Sequence, residues 1–260
     1  MSNAYVLARR QIVLNAGRAT AALAAIGLAP SSAAAATSAP AGALKELADR
    51  LASAPRRRNF KTVPLIVTEH RDWDHEAAAE VMAYRYKSRQ VWDNSDLSGP
   101  WPGLMRESMN GHAFALGYSD FLAVSATHGE AHLALFSQGI WDKYNLADLV
   151  GRKFASNTLI VEHNGVSPSD DLQNPQGFYG PMNNNIVSLQ KRGAVFIACH
   201  DTIHYFARKL AGMAAFAERS ADEIAADLTN NLVPGAVLVP SVVAYLVELQ
   251  RSGFTYVNAG

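Results

Sequence analysis

The chain has 260 residues, 49% of them hydrophobic and 18% charged, and a domain of this size buries roughly 70% of its unfolded surface. Lys plus Arg balances Asp plus Glu at 23 each, which leaves no net charge to hold a nucleic acid or an anionic membrane surface by long-range attraction. The single cysteine, Cys199, excludes an internal disulfide.

The first elements read as an export signal. Arg9 and Arg10 precede Ile12, Val13 and Leu14, a small-residue apolar stretch follows over residues 19–29, and residues 31–36 offer small-x-small cleavage sites. The arginine pair makes the segment 1–36 similar to a twin-arginine signal. The apolar run is interrupted by Arg18 and falls short of the ~20 residues of a membrane span, so the expected product is a periplasmic protein that leaves its signal behind. Residues 37–59, with Pro40, Pro55 and Arg56 to Arg58, read as a linker carrying one short helix over 44–52.

The domain is expected over 60–260. Residues 63–68 are β-branched and apolar and read as a buried strand. Residues 74–86 have helical periodicity with Asp74 placed to cap them, residues 93–103 read as a loop, and 104–116 as a helix. A strand over 121–127 ends at His128 and Gly129, and a helix starts at 131. Residues 164–181, rich in Asn, Asp, Ser, Pro and Gly, read as a surface loop of the kind that roofs a site. A short helix over 184–192 follows, with Asn183, Asn184 and Asn185 as turn and cap. Strands are then expected over 194–198, 236–239 and 255–257, alternating with helices over 202–216 and 241–251. This alternation predicts a three-layer α/β/α fold with a mostly parallel sheet of about five strands, because parallel neighbours need crossover helices.

Cys199 follows the strand 194–198 and precedes a helix, which places it at the carboxyl end of a parallel strand, where open sheets bind ligands. A thiol at the following helix N-terminus faces unpaired N–H groups that favour thiolate, and His200 and His204 are positioned to move a proton. The competing reading is a small buried residue packed beneath the helix. His200 and His204 are spaced i, i+4, but without a second cysteine no standard metal set forms, and no metal or cofactor is expected. The acidic and histidine cluster from Glu69 to Glu76 reads more simply as a solvated helix entry than as a metal site. His128 is weighed equally as a ligand contact and as a structural histidine. No serine nucleophile elbow, phosphate loop or dinucleotide fingerprint occurs.

Residues 189–202, 231–243 and 249–257, read together with 121–128, resemble the DsrE/DsrF-like family, and the resemblance covers residues 184–258 best. It implies a parallel five-stranded sheet, a homo-oligomer, and Cys199 as the position that carries sulfur as a persulfide. The exported branch of that family has Gly-Asn-Thr after the cysteine, where this chain has His200, Asp201 and Thr202. The segments 69–103 and 145–181 read as insertions. The expectation is a sulfur-handling protein that uses Cys199, His200 and His204 for chemistry and His128, Gly129, Asp201 and Thr202 for ligand contact, with a small sulfur donor or an acceptor protein as partner. The alternatives are a small-ligand or metal-binding module and an oligomeric structural protein of the same fold.

Overall fold

The computed structural model describes Pro40 and residues 42–259; the expected signal lies outside them. In chain order the elements are α1 (Gly42–Ser53), α2 (His75–Ala83), β1 (Arg89–Asn94), α3 (Trp101–Asn110), β2 (Leu122–Thr127), α4 (Gln138–Tyr144), α5 (Ile186–Lys191), β3 (Val195–Cys199), α6 (His200–Ala211), α7 (Ala221–Asn230), β4 (Val237–Val239), α8 (Val242–Arg251) and β5 (Thr255–Asn258). The strands form one all-parallel sheet in the order β4-β3-β2-β1-β5.

That order dictates the layers. From β1 to β4 the chain steps across the sheet in one direction, and right-handed crossovers then put every connecting helix on the same face. Trp101 and Met105 of α3, Ile140 and Trp141 of α4, Ile203 and Phe206 of α6, and Ile224 and Leu228 of α7 accordingly share one core with Ala123, Phe196 and Leu238. The step from β4 back to β5 reverses direction, so α8 covers the other face, packing with α1 and α2 on Val91, Val124, Ile197 and Cys199. The result is a three-layer α/β/α protein. No helix among the described residues is long and apolar enough to cross a membrane.

Several local expectations are corrected. The helix expected over 44–52 is present as α1, and its Leu44 and Leu47 are buried in the second core rather than standing free in a linker, because a helix with apolar residues on one stripe gains by covering the sheet. Residues 63–68 form no strand: Val63 alone is buried, and Leu65 and Ile66 are exposed. The free side of edge strand β4 is met by Asp74, whose amide donates to the Leu238 carbonyl at 3.0 Å. The expected insertion 69–103 holds α2 and the inner strand β1, so it is integral to the sheet. The helix expected from 131 is a 3-10 turn over Gly129–Leu135, with α4 only after it, and α7 was not expected.

The loop 164–181 does not roof Cys199. The Tyr179 carbonyl accepts from Arg106 (3.3 Å) and Asn110 (3.0 Å) of α3, and Arg192, at the end of α5, stacks its guanidinium on the Tyr179 ring. These contacts hold the loop beside the helices that lead into the amino ends of the strands. Asn185 caps α5 as expected, accepting the Ser188 amide at 2.8 Å.

Candidate functional site

Val195, Ile197 and Cys199 of β3 face the α8 side, whereas Phe196 and Ala198 face the opposite core, as the two-residue period of a strand requires. Cys199 is therefore turned away from α6, at whose N-terminus the sequence placed its thiol. Its Sγ instead accepts the amide of Val242, the first residue of α8, at 3.4 Å. The positive end of a helix still meets the sulfur, but it belongs to the other layer. The strand order reverses between β1 and β5, which is the switch point of the sheet; Cys199 lies two strands away, at the carboxyl end of β3, where α6 leaves on one face and α8 leaves β4 on the other.

Cys199 is only 3% exposed. Beside it, a cavity of about 260 Å³ is lined by Trp73, Met82, Val239, Pro240, Tyr245 and Glu248 among others, and Val239 is the register partner of Cys199. A second cavity, of about 330 Å³, lies between α1 and the amino ends of the strands, against Leu47, Ala194 and Val195. It contains none of the expected site residues.

His200 and His204 are not brought to the thiol by any hydrogen bond. His200 Nε2 donates to the Pro64 carbonyl at 2.7 Å, and the two imidazoles sit 4.7 Å apart, both buried. Burial lowers the pKa of each; for His204 burial, followed by the neighbouring His200, brings it to about 4. The pair joins the segment around Pro64 to α6. Asp201 is exposed on the first turn of α6, its amide donating to the Pro240 carbonyl at 3.3 Å, and Thr202 is half-buried.

Among the described residues no group of three or more His, Cys, Asp or Glu side chains is placed to hold a metal ion. Within the Glu69 to Glu76 cluster, His70 stacks on His75 at 4.6 Å and Glu76 forms a two-pronged pair with Arg57. That pairing holds the Glu76 carboxyl at about 2. Asp74, expected as a helix cap, makes no side-chain cap and pairs with Arg58 at 2.8 Å.

His128 lies at the end of β2 and donates Nε2–H to Asp93 Oδ1 at 2.7 Å. The second oxygen of Asp93 accepts the Tyr256 hydroxyl from β5, also at 2.7 Å, and that bond raises the Tyr256 pKa. Gly129 makes the turn that follows with φ +54°, and a Cβ there would lie 2.8 Å from the Ser95 carbonyl oxygen, so only glycine fits. Four residues beyond His128, His132 is fully buried with both ring nitrogens unpaired; burial, and then His128, push its pKa down to about 3.

Asp93 and Tyr256 escaped the sequence reading. In β1 only Val91 and Trp92 are apolar, between Arg89-Gln90 and Asp93-Asn94, so the strand resembled the start of a loop. The legible signal was an aliphatic and an aromatic residue together, between a helix and the Gly99-Pro100 turn. The fold and this carboxyl edge define an open, parallel-sheet α/β protein with a cysteine at the carboxyl end of an inner strand. Compared with protein-family models, curated proteins and solved structures, the chain has no match.

Proposed function

We propose that the protein is an exported sulfur-handling protein in which Cys199 accepts sulfane sulfur and passes it to an acceptor. The observation that carries this reading is the setting of Sγ: at the carboxyl edge of the parallel sheet, with the Val242 amide at the start of α8 donating to it at 3.4 Å. An N–H at the positive end of a helix stabilises the thiolate that attacks and the persulfide anion that results. The resemblance to the DsrE/DsrF-like family supports the same residue. The test is the intact mass of the protein before and after thiosulfate or polysulfide, with Cys199→Ser alongside. A gain of about 32 Da per sulfur, removed by dithiothreitol and absent in the variant, is the expected result. Uptake by Cys199→Ser, or none by the wild type, overturns the reading.

A second reading, a non-catalytic small-ligand module, is favoured by the burial of the thiol beside an apolar cavity of about 260 Å³. Ligand affinity unchanged in Cys199→Ser, together with no sulfur uptake by the wild type, would select it.

A further inference from the structure

The carboxyl edge of the sheet presents a row of four polar side chains on one face. In β3 the residues 195, 197 and 199 face the α8 layer; in β2 the residues 122, 124 and 126 do, and in β1 Val91 does. His128, in extended conformation (φ −145°, ψ −170°) two residues beyond Ala126, continues that face, as Asp93 does two residues beyond Val91. Tyr256 pairs in register with Val91. The last register pair between β2 and β3 is Thr127 with Ala198, so His128 and Cys199 are the next neighbours across two parallel strands, which run ~5 Å apart. The order along the edge is Tyr256, Asp93, His128, Cys199.

We infer that His128, oriented by Asp93 and Tyr256, is the proton acceptor for Cys199, in place of His200 or His204; the inference rests on the reading of Cys199 as a sulfur acceptor. A carboxylate only accepts hydrogen bonds, so the 2.7 Å contact to Asp93 assigns the imidazole proton to Nε2 and leaves the lone pair on Nδ1. No hydrogen bond among the described residues occupies Nδ1. The side chain of His128 is 26% exposed and that of Asp93 18%, so the pair is sheltered and still reachable. A nucleophile, a base and a group that orients the base form the arrangement that activates a weak nucleophile. Sγ and Nδ1 are not hydrogen-bonded here, and such contacts commonly close only once substrate is present.

The substrate class that fits is a small anionic sulfane donor, thiosulfate or a low-molecular-weight persulfide. Nδ1 takes the Cys199 proton as Sγ attacks the outer sulfur of thiosulfate. The Sγ–S bond forms, the S–SO₃ bond breaks, and sulfite leaves with the electron pair. Cys199 is left as a persulfide anion, the imidazolium passes its proton to solvent, and no external oxidant enters. The titratable groups facing His128 are Asp93 from β1 and His132 beyond Gly129, with Tyr256 behind Asp93.

The experiment follows the rate of sulfur addition from thiosulfate by intact mass, from pH 5 to 9, in the wild type, His128→Gln, Asp93→Asn and His200→Gln. The same proteins are alkylated with iodoacetamide, and circular dichroism verifies folding. Loss of a general base costs about 10²-fold or more. His128→Gln is expected to lose that much and also the acid limb of the pH profile. Asp93→Asn is expected to shift the limb, and His200→Gln to keep the wild-type profile. A folded His128→Gln with the wild-type rate and pH profile overturns the relay while leaving Cys199 as the sulfur acceptor. No uptake by the wild type, with alkylation that still depends on His128, overturns the sulfur reading and leaves the relay. A thiol inert to both reagents in the wild type overturns both.

Discussion

Asp74 closes the sheet at Leu238. Its amide donates to the Leu238 carbonyl at 3.0 Å and its carboxylate accepts the Leu238 amide at 2.8 Å, so one residue satisfies both backbone groups on the free side of edge strand β4. The carboxylate is fully buried and is also bound by the Arg58 guanidinium at 2.8 Å and the Arg57 amide at 2.8 Å. An unpaired edge is a template for association with another chain, and here it is sealed by the segment between α1 and α2.

Asp74→Ala therefore leaves Arg58 partly buried without its anion and Leu238 N–H without an acceptor. Removing one member of a buried pair costs about 3–5 kcal/mol. Urea denaturation of the variant is expected to show that loss at unchanged m-value, with a greater tendency to aggregate. A midpoint within error of the wild type would show that the network contributes little.

Acid should destabilise the fold through His132. Its folded pKa, about 3, lies below the ordinary imidazole value of 6.5 because the ring is buried without a hydrogen-bond partner. Below pH 6.5 the unfolded chain binds a proton that the folded chain refuses. The contribution is thus complete above pH 6.5 and falls as pH drops toward 3, by about 2 kcal/mol at pH 5. His132→Leu is expected to flatten the slope of stability between pH 7 and 5 without loss at pH 7, since neither ring nitrogen has a hydrogen-bond partner to lose and the ring packs against Phe136 at 5.1 Å. Urea midpoints at the two pH values decide it, and an unchanged slope would place the proton-linked group elsewhere.

Gly129→Ala puts a methyl against the Ser95 carbonyl in a left-handed turn, at 2.8 Å and φ +54°. Strain of this kind costs about 1–3 kcal/mol, and it falls on the residue that follows His128. The variant is expected to lose that stability in thermal melts. It is also expected to take up sulfur more slowly than its stability loss explains, because His128 is displaced from Asp93. Uptake at the wild-type rate would show that the turn does not orient the imidazole.

The alternation of apolar strands with helices over residues 194–257 was sufficient to read a parallel three-layer fold, since parallel neighbours must be joined by crossovers. The position of Cys199 at the end of a strand was legible for the same reason: Val195 to Ala198 is a continuous apolar run that ends there. Its burial and its partner were not, because facing follows from a register with β4 and α8, which are distant in sequence. That His200 and His204 both close on Pro64 was not legible either, because Pro64 is more than a hundred residues away in the chain. Asp93 lies on β1, His128 just beyond β2 and Tyr256 on β5, at the far end of the chain, and only the order β4-β3-β2-β1-β5 places them side by side. Local periodicity determines which segments become strands and helices. Which polar ends meet is decided by the pairing of strands far apart in the chain, which no local pattern encodes.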